Sequence, residues 1–305
     1  MRRVSRLALA TAVVAVAGVV VAVALAAEPA IKTTTPKTED QITNIDVLRQ
    51  QIRNYYGDPL GSGVFADDSN YAREAGGVAE DGGRYLADRA RGHDHSKGDD
   101  RDDRDDKSGD RKGEDDKRKD HGEKKLAIVL DVDDTTLATW NYEIFSNWAF
   151  NPTTNGQFVT EQRFPAVPGM VDMVTKAADE GYKIFFLTGR PQAQEAATLG
   201  NLTRDGVGVD AGYPAPSPLT NSEDGLFTKP AIGSYPDYLD KPQFCGPSIA
   251  AGVSCPTIQY KSGVRAHIED LGYEIVGNFG DQFSDLEGGF ADKTFKLPNP
   301  NYFLP

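Results

Sequence analysis

Cysteine is scarce: Cys245 and Cys255 are the two in 305 residues. A metal centre built on thiolates needs more ligands than that. Positive charge is short as well, with 33 Lys and Arg against 46 Asp and Glu and a net charge of −13. A chain so acidic repels polyphosphate backbones, so nucleic acid is not an expected partner. Only one long uncharged run occurs, residues 7–27, and no second run of membrane-spanning length follows. Residues 91–125 contain no aliphatic or aromatic side chain at all. They have no apolar surface to bury, so nothing offsets the entropy of ordering them.

What is present divides the chain. The basic start MRRVSR and residues 7–27, closing on Ala24-Leu25-Ala26, have the form of an export signal with a small-x-small cleavage site. The same run is long enough to be kept as an anchor, and only in that case is a membrane a partner. Either way the rest of the chain is expected outside the cell, secreted or at its surface. Residues 28–43 read as a tether. Residues 44–90 read as an N-terminal helical segment, with Asn44 as a cap and Ile45, Leu48, Ile52 and Tyr55 at helical spacing. Paired glycines weaken the second half of that reading. Residues 91–125 read as a disordered charged linker, the competing reading being weak divalent-metal or cell-wall binding through its aspartates and His93, His95 and His121. In an exported protein an isolated cysteine pair is most simply one disulfide, here Cys245–Cys255 restraining a Gly- and Pro-containing loop.

From residue 126 to residue 305 strand and helix signals alternate. LAIVL is a buried strand. Residues 169–181 form a helix with Val171, Val174 and Ala178 inward and Gly181 as its stop. KIFFLTGR is a second strand, and Pro191 starts a helix through Arg204. After a Pro- and Gly-rich insertion, the residues from Pro256 give a short strand, a helix, a strand and an acidic loop. This alternation predicts an α/β domain with a mostly parallel, Rossmann-type sheet flanked by helices. In such sheets, sites form beyond the carboxyl ends of the strands.

Residues 126–143, LAIVLDVDDTTLATWNYE, crowd Asp131, Asp133 and Asp134 onto a strand end. Like charges so placed repel unless something positive joins them. An acidic turn is the plain reading; a metal and phosphate site is the sharp one. Residues two apart in a strand point the same way, so Asp131 and Asp133 face one pocket if the strand persists. A carboxylate can act as a phosphoryl-accepting nucleophile, a second can move protons, and Mg²⁺ suits a carboxylate site.

DVDDT, LTGR, the lysine of YKSGVR and GDQFSD, in that order, resemble the four motifs of the haloacid dehalogenase (HAD) superfamily. More closely, residues 126–305 resemble the class B-type acid phosphatases of HAD subfamily IIIB, in the branch with the plant acid phosphatases and vegetative storage proteins. The tail TFKLPNPNYFLP and the helices of residues 44–90 carry the same likeness. The resemblance implies a HAD-like fold with a small cap insertion and a Mg²⁺-dependent hydrolase of small phosphomonoesters. It implies Asp131 as nucleophile and Asp133 as general acid, then base, with its carbonyl on the metal. Thr135 supports the nucleophile loop, and Thr188, with the Gly189 backbone, binds phosphoryl oxygens. Lys261 balances charge; Asp281 joins Asp131 and Asp133 at the metal, and Asp285 is a ligand or a partner behind one, the plain alternative for it being a helix N-terminal charge. Arg190 is read either as touching substrate or as an ion pair. Trp140, Tyr142, Phe145 and Trp148 are read either as a substrate entrance or as a packed cap, and His267 as structural or exposed. Two other functions compete: a storage-like or binding protein with a vestigial site, and a phosphotransferase using the same intermediate. Oligomeric state has no signal.

Overall fold

The computed structural model describes residues 34–102, 124–203 and 208–304, the side chains of residues 93–102 excepted. The export-signal expectation and the side chains of His93, His95 and His121 lie outside the described residues, as does most of the charged run. Among the described residues no helix is long and apolar enough to cross a membrane.

Two helices lead. The first is α1 (Ile45–Tyr55), capped by the Asn44 carboxamide, which accepts from the backbone N–H groups of Asp46 and Val47 at 3.0 and 3.3 Å. Two of the donors a helix start leaves open are thereby satisfied. The second, α2 (Asn70–Asp102), runs past residue 90 into the charged run. No proline interrupts that stretch, and Arg91 pairs with Asp88 one turn back. Of the paired glycines that weakened the helix reading, Gly82 has a packing reason, while a Cβ on Gly76 or Gly77 would meet nothing. A Cβ on Gly82 would stand 2.6 Å from the ring of Phe279, so only glycine lets α2 lie against the sheet there.

The remaining elements follow as β1 (Lys125–Leu130), α3 (Trp140–Ser146), α4 (Pro152–Thr160), α5 (Met170–Asp179), β2 (Lys183–Pro191), α6 (Glu195–Leu202), β3 (Leu226–Lys229), α7 (Gly246–Ala251), α8 (Thr257–Asp270), β4 (Tyr273–Gly280), α9 (Phe283–Leu286) and β5 (Lys293–Lys296). The strands form one five-stranded sheet in the order β3-β2-β1-β4-β5, with every pairing parallel. Alternate residues feed two cores. Ile128 and Leu130 of β1, with Ile184 and Phe186 of β2, share a core with residues of α2, α3, α4 and α5. Ala127 and Val129, with Phe185 and Leu187, meet Val264 and Ile268 of α8 and the disulfide loop. Burial on both faces is why these strands read as unbroken apolar runs.

Three expectations are corrected. The inward face of α5 is Met170, Met173, Val174 and Ala177, while Val171 and Ala178 are only half-buried, because the helix is turned to set Met173 and Ala177 against α2. Pro191 ends β2 instead of opening a helix, and α6 starts at Glu195 after a short 3₁₀ turn. The stretch PTIQY is the first turn of α8 and no strand. Tyr260, Val264 and Ile268 recur one turn apart on its core side; a five-residue stretch with Ile258 and Tyr260 two apart cannot distinguish that from a strand.

Candidate active site

The β1 backbone stops its strand path at Leu130, and the Asp131 N–H still reaches the Phe279 carbonyl of β4 at 3.0 Å. The chain then turns sharply. Thr136 and Leu137 N–H groups both return to the Val132 carbonyl, at 3.0 and 2.8 Å, and Asp134 adopts φ +51°. The turn, not strand alternation, therefore aims Asp131 and Asp133. That strained Asp134 is fully buried, with its carboxylate accepting from the Thr139 hydroxyl at 2.6 Å and the Thr139 N–H at 2.9 Å. It acts as a peg that holds the turn shut.

Four distant segments converge on this turn. Lys261, from the first turns of α8, donates to Asp131 and, at 2.7 Å, to Asp285. Asp281 comes from the turn after β4 and Asp285 from α9. Ligand oxygens of Asp131, Asp281 and Asp285 all lie within 4.8 Å of one another, and all three residues are buried. Three carboxylates against the one ammonium that touches two of them leave two negative charges unbalanced. An oxygen-only donor set with that deficit fits a hard divalent cation. Asp285 has a second duty: its Oδ2 accepts the Gln282 N–H at 2.8 Å in the capping box of α9.

Asp133 sits outside the carboxylate cluster. Its two oxygens take Arg190 Nε at 3.0 Å and Nη2 at 2.7 Å, and Arg190 Nη1 reaches the Thr198 hydroxyl at 3.0 Å. Of the two readings of Arg190, the ion pair is the one present. Thr188 is buried and its hydroxyl accepts the Arg190 N–H at 3.2 Å. Gly189 is exposed, with open space where a Cβ would stand. Thr135 lies on the carboxylate side, its hydroxyl 3.4 Å from Asp281 Oδ1.

The electrostatics follow from burial. Desolvation, then repulsion from Asp285, pushes the Asp131 carboxyl up to about 7 against the pull of Lys261. Burial, then Asp285 and Asp131, holds Asp281 well above the carboxylate range. Burial likewise lifts Asp134 to about 6. Burial opposes the charge of Lys261, but Asp131 and Asp285 outweigh it and raise its pKa. Each of these acids would ionise more readily beside a cation.

Several residues at the site had little sequence signal. Glu143 of α3 is 7% exposed, and burial, then Asp134 and Asp133, pushes it up to about 8. Its only hint was position, one helix turn into the segment after DVDDT. Asn299 donates to Asp281 Oδ2 at 2.6 Å from a tail that periodicity could not place. Of Trp140, Tyr142, Phe145 and Trp148, most form a packed cap: Trp140 and Tyr142 are buried, Trp148 is half-buried, and Phe145 is exposed at 60%. Trp140 stacks on Tyr56 with centroids 4.1 Å apart and donates to Asp58 at 3.0 Å, tying the N-terminal helices to the site. His267 stacks on Tyr238 beside Glu223, a structural placement. Cys245 and Cys255 are bonded, with Cα atoms 5.2 Å apart, and neither is free.

Comparisons with known proteins point to one family. The family profile described as "HAD superfamily, subfamily IIIB (Acid phosphatase)" matches residues 111–229 and 252–305. The stem 28 kDa glycoprotein of Glycine max is 32% identical over 59% of this chain and 61% of its own. Acid phosphatase 1 of Solanum lycopersicum is 28% identical over 58% of each chain. Vegetative storage protein 2 of Arabidopsis thaliana is 26% identical over 58% of this chain and 56% of its own. The chain thus spans somewhat over half the length of these relatives.

Proposed function

The chain belongs to the HAD superfamily, subfamily IIIB (acid phosphatase), and from that premise we propose that it is an exported, Mg²⁺-dependent phosphomonoesterase working through an aspartyl-phosphate. The observation that carries the reading is the buried constellation of Asp131, Lys261, Asp285 and Asp281 at the carboxyl end of β1. Export rests on the disulfide, the N-terminal sequence and the plant glycoprotein relatives.

Asp131 is the nucleophile. Its oxygen attacks phosphorus in line, the bond to the leaving oxygen breaks, and Asp133 gives that oxygen its proton. Asp133 then takes a proton from water; the water oxygen attacks phosphorus, the bond to Asp131 breaks, and inorganic phosphate departs. Arg190 grips Asp133 from one side through Nε and Nη2 and so fixes where its proton is delivered. Thr188 and the open Gly189 backbone hold phosphoryl oxygens, and Lys261 compensates charge on Asp131 and on the phosphoryl group. Asp131, Asp281, Asp285 and the Asp133 carbonyl would hold Mg²⁺, whose charge offsets the carboxylates and the developing phosphoryl charge. The leaving group is a small molecule.

The test is hydrolysis of an aryl phosphate by residues 28–305, across pH 4 to 9, with Mg²⁺, with chelator, and as Asp131→Asn. The reading expects turnover that needs both the metal and Asp131. A folded protein inert at every pH would instead support a storage-like role, as in the relative named vegetative storage protein 2.

A further inference from the structure

The two oxygens of Asp281 are treated unequally. Oδ2 accepts two carboxamide N–H groups, Asn299 Nδ2 at 2.6 Å and Gln282 Nε2 at 2.7 Å. Oδ1 has only the Thr135 hydroxyl, at a long 3.4 Å. An oxygen with two strong donors has used its lone pairs, so Oδ1 is the one left to ligate.

Both donors depend on the tail, residues 298–304. The Asn301 N–H binds Asn299 Oδ1 at 2.8 Å, which turns the Asn299 amide N–H toward Asp281. Asn301 is itself braced on both sides: its Nδ2 donates to the Tyr56 hydroxyl at 2.9 Å, and Trp148 Nε1 donates to its Oδ1 at 3.2 Å. The Leu304 N–H binds Gln282 Oε1 at 3.0 Å and so orients the second donor. A continuous hydrogen-bonded line runs from the N-terminal helices through the tail to one oxygen of one carboxylate.

We propose that the tail is a positioning strap, in which Asn299 restricts Asp281 to one-oxygen ligation and thereby sets the preference of the site for Mg²⁺ over Ca²⁺. This rests on the divalent-metal reading of the site. The physical reason is coordination geometry. Mg²⁺ takes six ligands at short, strict distances, whereas Ca²⁺ accepts more oxygens and two-oxygen carboxylates. A carboxylate pinned through its far oxygen offers what Mg²⁺ needs and withholds what Ca²⁺ gains. Partners that orient a ligand in this way typically change metal affinity by about 10–100-fold when removed.

The experiment is calorimetric titration of Mg²⁺ and of Ca²⁺ into the metal-stripped full chain, as wild type, Asn299→Ala and Asn301→Ala. Thermal melts alongside report folding. The expected result is a loss of Mg²⁺ affinity of about tenfold or more in Asn299→Ala. Ca²⁺ affinity falls less, so the Mg²⁺ to Ca²⁺ ratio shrinks. Asn301→Ala moves the ratio the same way by a smaller factor. A merely structural role would lower both affinities together or neither. If Asn299→Ala does not fold, Asn299→Ser, whose hydroxyl is too short to reach Oδ2, carries the same comparison. An unchanged ratio in folded variants, with tight Mg²⁺ binding by wild type, overturns the strap and leaves the metal site standing. Wild type that binds neither ion overturns both.

Discussion

Replacing Glu143 by glutamine should stabilise the protein, and only above acid pH. Glu143 is buried on α3, and burial followed by the charges of Asp134 and Asp133 raises it from 4.5 to about 8, with nothing pulling the other way. A carboxyl whose pKa is raised in the folded state is no burden while both states are protonated, below about pH 4.5. As pH rises, the unfolded chain ionises first, and stability is lost up to the folded value near 8. At about 1.4 kcal/mol per unit, the full span is worth about 5 kcal/mol, of which about 3 kcal/mol is already lost at pH 7. Glu143→Gln keeps the shape and removes the charge. Metal-stripped wild type and variant should melt together at pH 4.5. At pH 7 the variant should lead by about 6–12 °C, taking about 2–4 °C per kcal/mol for a chain of this size. Thermal melts followed by circular dichroism across pH 4.5 to 8 decide it. Parallel pH curves for the two proteins would refute the argument, because the difference between them isolates this one group.

Two more outcomes follow from the same geometry. Lys261→Met leaves Asp131 and Asp285 facing each other in a buried site; stability should fall by about 3–5 kcal/mol, more at pH 8 than at pH 5, and aryl phosphate turnover should vanish, read by urea melts and a colorimetric assay. The double substitution Cys245→Ala, Cys255→Ala opens a bridge of sequence separation 10; it should cost about 2–3 kcal/mol by the same melts, with kcat within a few-fold, since the bridge sits on the α8 side of the sheet and touches none of the acids.

Legibility in the sequence tracked how local each signal was. The strands at LAIVL and KIFFL stood out because burial on both faces demands continuous apolar runs. Asp131, Lys261, Asp281 and Asp285 were named because each lies within one of the four short motifs that carry the family resemblance. The α5 face slipped by one position because Met170 and Met173 compete with Val171 as anchors, and only the docking of α2 chooses between them. The start of α8 was hidden because a stretch as short as PTIQY fits either period. Glu143 and Asn299 matter through contacts made across the fold, Asn299 by reaching Asp281 and Glu143 by lying near Asp133 and Asp134. Periodicity along one segment carries no information about such contacts.

The position of β1 has a consequence for how the protein reaches its native state. It is the central strand, yet Ala127 pairs with Lys183 and Lys125 with Tyr273, and no hairpin joins any two strands. The apolar edge that β4 will cover therefore stays open until most of the domain has been synthesised and closed up. Sheets assembled from such distant pairings fold slowly, and an open apolar edge invites pairing between chains. The densely charged residues 91–125 run up to and into the start of that strand. Charge in that position acts as a gatekeeper against association, so replacing the charged side chains of residues 103–123 by Gly and Ser should leave the folded domain intact and lower the yield of refolding from concentrated denatured protein.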